Sequence, residues 1–148
     1  MKKILSVILL ICAFAAITYL VSKSIADYQF SINAQKNAKG EKLYAQRCAT
    51  CHQLNGEGVA GLYPPLQSSD FLLQDKSRII NVLLQGLSGP IQVNGIPYDG
   101  VMHPVPGTDQ ELADILNYIY TRFGNREYVF TADEVGVLRA LHSNHSSN

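Results

Sequence analysis

The sequence predicts an all-α fold in which a few helices are joined by long loops. Three observations predict it. Thr108-Asp109-Gln110-Glu111 and Thr131-Ala132-Asp133-Glu134 are both capping boxes, in which a hydroxyl and a carboxylate satisfy the first free amides of a helix. Period-2 alternation, the mark of a half-buried strand, is nearly absent. Residues 89–107 hold four prolines and four glycines, which makes that stretch a loop rather than a helix.

The elements follow in chain order. Met1-Lys2-Lys3 precedes an apolar run from Ile4 to Val21, which as a helix would be about 27 Å long, close to the hydrocarbon thickness of a bilayer. Residues 1–24 therefore read as a signal anchor whose lysines stay in the cytoplasm. The alternative is a signal peptide cleaved after Ala13-Phe14-Ala15 or Ser24-Ile25-Ala26. Cys12 lies inside this segment and reads as one of its apolar residues. Residues 25–33 are polar and without pattern, and read as a linker.

A single domain is expected over 34–141. Its first helix runs from about Ala34 to Cys48, with Leu43, Tyr44 and Arg47 near one face. Gly40 inside it costs about 1 kcal/mol against alanine, so close contact with another helix is the expected reason. Asn55-Gly56-Glu57-Gly58 and Gly61 form a loop, and Tyr63-Pro64-Pro65-Leu66 is extended. A second helix follows Asp75 and stops at Gly86. The capped helix from Thr108 carries Leu112, Ile115, Leu116, Ile119 and Phe123 on one stripe and ends at Gly124. A short last helix ends near Leu141, and 142–148, rich in Ser and Asn, reads as a disordered tail.

Chemistry concentrates in Cys48-Ala49-Thr50-Cys51-His52. C-x-x-C-H reads as a c-type haem attachment site: two thiols can add to the two vinyl groups of a haem, and the next imidazole can bind its iron. Two other readings compete. A dithiol redox couple wants a strand–helix–strand context and a low-pKa thiol, and a structural zinc wants two further ligands. With His52 on one side of the iron, Met102 is the candidate for the other, since Met1 is the start of the chain. A thioether there would raise the potential, although methionine is more commonly core filler.

Charge narrows the partners. Removing Lys2, Lys3 and Lys23 from the 12 basic residues leaves nine against 12 acidic ones, so the exported part is near −3. That argues against nucleic acid and favours a partner with a positive docking patch.

These residues in this order resemble the class I, mitochondrial-type c-type cytochromes, in their bacterial single-haem, membrane-anchored group. Gly40-x-x-x-Tyr44-x-x-x-Cys48-x-x-Cys51-His52 resembles the family's first helix and haem site. Pro64-Pro65-Leu66 resembles the loop whose proline carbonyl holds the proximal histidine, and Pro65 is the proline placed at the cofactor. Ser88-Gly89-Pro90-Ile91 to Asn94-Gly95, then Gly100-Val101-Met102, resembles the loop that brings in the methionine. Leu116-Asn117-Tyr118 resembles the part of the last helix that crosses the first at Gly40 and Tyr44.

The resemblance implies a cytochrome c-like helical domain around one covalent haem c, with Cys48 and Cys51 as attachment points and His52 and Met102 on the iron. Tyr98 either bonds a haem propionate or packs in its loop. His103, where the family usually has proline, is either a surface residue or a replacement for Met102. The implied function is an electron carrier on the outer face of the bacterial inner membrane. Its haem domain would lie in the periplasm and its partners would be redox proteins of a respiratory chain, with no small-molecule substrate. Two alternatives stay open: a haem subunit of a larger oxidoreductase complex, and a peroxidase or gas-binding protein with an open iron.

Overall fold

The computed structural model describes residues 2–124 and 129–145. Its elements are α1 (Lys2–Arg47), α2 (Ala49–His52), a 3-10 turn (Phe71–Leu73), α3 (Lys76–Gln85), β1 (Ile91–Val93), β2 (Ile96–Tyr98), α4 (Asp109–Arg122) and α5 (Ala132–His145). The chain divides into two compact units, Met1–Lys36 and Asn37–Asn148.

The first unit is entirely helical where described, and large apolar side chains along it, such as Ile4, Leu10, Phe14 and Leu20, are exposed. Helix α1 runs unbroken through residues 25–33, which the sequence reading had as a linker. No Gly or Pro occurs before Gly40, so nothing stops a helix once it is nucleated. Thr18, Ser22, Ser24 and Ser31 turn their hydroxyls back to carbonyls three or four residues earlier, which satisfies the hydroxyls within the helix.

In the second unit the expected helices are present, with α1 and α4 packed through Gly40. A Cβ built on Gly40 would overlap the Asp114 carbonyl oxygen and lie 2.8 Å from Tyr118 Cβ. Around that contact Tyr44 meets Tyr118 and Phe123, with ring centroids 5.4 and 5.3 Å apart. Asp114 is buried beside it; its charge is paired with Lys39 at 2.9 Å and its other oxygen accepts from the Gln110 side-chain amide at 2.8 Å, as burial of a carboxylate requires.

Both capping boxes are formed. Thr108 accepts from the Glu111 amide while Glu111 accepts from the Thr108 amide, and Thr131 and Glu134 do the same. Helix α5 is tied to its neighbours by Lys76–Glu134 at 2.6 Å and Arg139–Asp109 at 2.7 Å. It is longer than the sequence suggested. It continues to His145, and His142 Nε2 lies 2.9 Å from Asn81 Oδ1 on α3, so the first four residues assigned to a disordered tail are helical; 146–148 lie outside the described residues.

The Gly/Pro-rich stretch, expected as plain loop, contains a short antiparallel hairpin pairing Ile91 with Tyr98 and Val93 with Ile96. Its two-residue turn is Asn94-Gly95, both at positive φ (52° and 77°), the geometry that an Asn-Gly hairpin turn adopts. Asp70 clamps the turn through reciprocal bonds with Asn94 at 2.8 and 3.0 Å. Val93 and Tyr98 are thereby turned into the core.

The Gly40 contact gives a direct test. Gly40→Ala should lower stability by about 1–3 kcal/mol, the usual cost of overpacking. Gly100→Ala, whose Cβ would meet only Leu62 O at 3.6 Å, should change it little. Denaturant unfolding followed by circular dichroism distinguishes the two.

Candidate haem site

Helix α1 ends at Arg47, and Cys48 leaves helical geometry at φ −122°, so that Cys48 and, from the next turn α2, His52 face a cleft, while Cys51 is half-buried. Cys48, His52, Pro64, Pro65, Phe71, Ile79, Val82, Leu83, Met102, Ile115, Leu116 and Ile119 are among the residues lining it, and it encloses about 660 Å³ including its mouth. Ser69 is the one hydroxyl on a wall otherwise built from apolar groups, Cys48 and His52. A large, flat, apolar group with one reactive edge suits such a cleft, and its burial there is favourable at about 25 cal/mol per Å² of apolar surface.

His52 Nδ1 lies 3.0 Å from the Pro64 carbonyl oxygen. A carbonyl only accepts, so Nδ1 carries the proton and donates it, and Nε2 keeps its lone pair for a metal. Burial lowers the His52 pKa, with the Pro64 bond acting weakly in the opposite sense, which favours the neutral, ligating ring. The proline carbonyl is thus Pro64's. Pro65, the residue selected from the sequence, instead forms part of the cleft wall. Gly58 makes this approach possible: at φ 67° its missing Cβ would overlap Tyr63 O and come within 2.7 Å of Pro64 O.

Met102 is half-buried and lines the cleft. Its backbone is pinned on both sides by Leu87, with N–H···O bonds of 2.8 Å each way. Gly86, at φ 79°, sits so close that a Cβ would overlap the Met102 carbonyl oxygen. His103 is exposed and is not among the lining residues. Tyr98 is buried in the core and is likewise absent from the cleft wall. Gly58, Gly86 and Leu87 were not singled out from sequence for their contacts with His52, Pro64 or Met102; the two glycines were the visible signal.

The competing chemistries fit poorly. Burial pushes the Cys48 thiol up to about 11, against the opposing pull of Arg47, whereas a dithiol redox couple needs a low-pKa thiol. Among the described residues, no group of three or more His, Cys, Asp or Glu is placed to hold a metal ion, so a zinc set is not assembled.

Residues 37–122 match the cytochrome c family. The chain belongs to that family. It is 44% identical over 117 residues to a cytochrome c-552 of Thermus thermophilus, covering 72% of this chain and 78% of that one. A second cytochrome c-552 of the same species is 45% identical over 113 residues, covering 70% and 86%. The cytochrome c subunit of the quinone alcohol dehydrogenase of Gluconacetobacter polyoxogenes is 33% identical over 128 residues; the match spans 82% of this chain and only 26% of that subunit.

This cytochrome is a class I electron-transfer protein carrying a covalent haem c, for which Cys48 and Cys51 form the attachment motif. Bound haem supplies a one-electron ferric–ferrous couple. The thioethers keep the group from leaving, and the apolar wall keeps water from it. Replacing both Cys48 and Cys51 by Ala should abolish haem that survives acid–acetone extraction. Either single change should leave a one-thioether haem whose reduced band is shifted to the red in the pyridine spectrum.

Proposed function

We propose that this protein is a membrane-tethered electron carrier whose haem iron is held between His52 and Met102. The observation that carries this reading is that His52 and Met102, 50 residues apart in sequence, line the same cleft as Cys48. With both axial positions filled by side chains, the iron has no vacancy for a substrate. The protein then exchanges electrons alone, and its small core stays nearly unchanged between the two oxidation states. His52 supplies a neutral nitrogen made more basic by its bond to Pro64, and the thioether of Met102 favours the reduced state. Cleft residues exclude water and so help raise the potential. Tyr98, buried in the core and absent from the cleft wall, stands as a packed aromatic. His103 is a surface residue.

Helix α1 supports the tether. It contains an 18-residue window apolar enough to cross a membrane, and none of that window is buried in the fold. A signal sequence near the N-terminus has the same character, and whether the segment is retained separates the two. Lys2 and Lys3 would remain in the cytoplasm and the haem unit would face the periplasm, where redox proteins of a respiratory chain would be its partners. The charge distribution supports a partner with a positive docking patch: between Cys48 and Asp75, and again between Ile79 and Thr121, the chain has no Lys or Arg. A second reading, a haem subunit of a dehydrogenase complex, is favoured by the match to the quinone alcohol dehydrogenase subunit. It changes the partner and leaves the chemistry as described.

The first experiment is an optical spectrum of the purified protein, oxidised and reduced, with and without carbon monoxide. A weak red methionine–iron band when oxidised, and no response to carbon monoxide, is the expected result. A shift with carbon monoxide would overturn the filled-iron reading. Met102→Ala should lose the red band and gain carbon monoxide binding, and Gly86→Ala should do the same in part, because its Cβ displaces the Met102 carbonyl. Intact mass of the purified chain decides whether the N-terminal segment is kept.

A further inference from the structure

Gln53, directly after His52, is the strained residue of the site. Its φ of 64° and ψ of 159° fall in a region that glycine enters and residues with a Cβ avoid, and such a conformation persists only where its surroundings over-determine it. Here the surroundings are explicit. The Gln53 amide donates to Ala49 O at 2.9 Å, and its carbonyl accepts from the Gly56 amide at 3.1 Å and from the Tyr44 hydroxyl at 2.6 Å. The His52 carbonyl, one peptide earlier, accepts from Gly58 at 3.0 Å.

Tyr44 brings to this network something that packing does not require. Its ring contacts with Tyr118 and Phe123 would be met equally by phenylalanine. The residue is 1% exposed, so its hydroxyl had to find a partner, and the one it finds is the carbonyl of the strained peptide. Burial also raises the Tyr44 pKa, which keeps the phenol a donor at any ordinary pH.

We propose that the Tyr44 hydroxyl is a positioning group for His52: by holding the Gln53 carbonyl it fixes the backbone from which the imidazole reaches Pro64. Through that bond it sets how strongly the ring donates to the iron. The inference rests on the reading of His52 as an axial ligand. Without the hydroxyl, the Gln53 peptide relaxes toward an ordinary conformation, the His52 ring turns, and the Nδ1–H···O=C bond to Pro64 lengthens. A ring that gives less of its proton away is a poorer donor, and a poorer donor stabilises ferric iron less.

The test compares Tyr44→Phe, Gln53→Gly and the double variant as purified holoproteins. Two readouts follow: the midpoint potential, and solvent exchange of the His52 Nδ1 proton by nitrogen-15 NMR of the reduced state. Tyr44→Phe should raise the potential and speed the exchange about ten-fold, the scale of one lost hydrogen bond. In the Gln53→Gly background both effects should shrink, because glycine holds the same backbone angles without strain. If Tyr44→Phe lowers stability but moves neither readout, the hydroxyl is merely structural and the proposal fails. Equal effects in both backgrounds would also overturn it, since the influence would not pass through Gln53. If the ferric wild type shows no paramagnetically shifted His52 ring protons, the ligand reading itself falls, and that result is visible before any variant is made.

Discussion

Helix α1 delivers the haem-binding turn to its cleft because Gly40 lets its backbone lie against the carbonyl of Asp114 on α4, a separation no side chain could share. Two consequences follow from that closeness. Ile115, Leu116 and Ile119 of α4 become a wall of the same cleft that Cys48 and His52 line at the end of α1. The aromatic rings of Tyr44, Tyr118 and Phe123 then close over the crossing and lock its angle. A few tenths of an ångström added at Gly40 would be felt at the cysteines, since helices are stiff over two turns and packed interiors pass strain on rather than absorb it.

A group as large as haem is also a structural element in a domain of this size. The cleft is lined by residues of the apolar core such as Ile79, Leu83, Ile115, Leu116 and Ile119, so a group seated there packs directly against that core. Covalent attachment removes the concentration dependence that such a core would otherwise have. The same dryness controls the chemistry. It lowers the pKa of His52, so that its neutral form is available, and it leaves the Pro64 carbonyl as a fixed partner for the ring proton.

Both residues proposed for the iron are held from behind largely by backbone groups, with the Tyr44 hydroxyl joining the frame around His52. His52 is steadied through Gly58, Pro64 and Gln53, and Met102 through Leu87 beneath Gly86. Loops rich in Gly and Pro do this well. Glycine admits the close approaches and positive φ angles, and proline removes alternatives from the unfolded chain. Such a frame suits electron transfer, in which a site that barely rearranges between oxidation states has little to reorganise.

Much of this was legible in the sequence. The capping boxes, the apolar stripe of α4 and the stop at Gly86 are local signals with local causes, and they appear as read. C-x-x-C-H is contiguous, so its chemistry needs no fold to be recognised; Gly40 announced a close helix contact, and the resemblance placed its partner on the helix that carries Tyr118. Other features depend on residues distant in sequence. The unbroken α1 was missed because a polar stretch looks like a linker although it contains no helix breaker. The hairpin at Asn94-Gly95 carried a recognisable turn, but strands of three residues are too short for alternation to show. Whether Pro64 or Pro65 offers its carbonyl to His52 is a matter of which way one peptide faces. That direction, like the pinning of Met102 by Leu87 and of Gln53 by Tyr44, was decided only when the tertiary structure brought backbone groups together, because hydrogen bonds depend on orientations that residue identity does not encode.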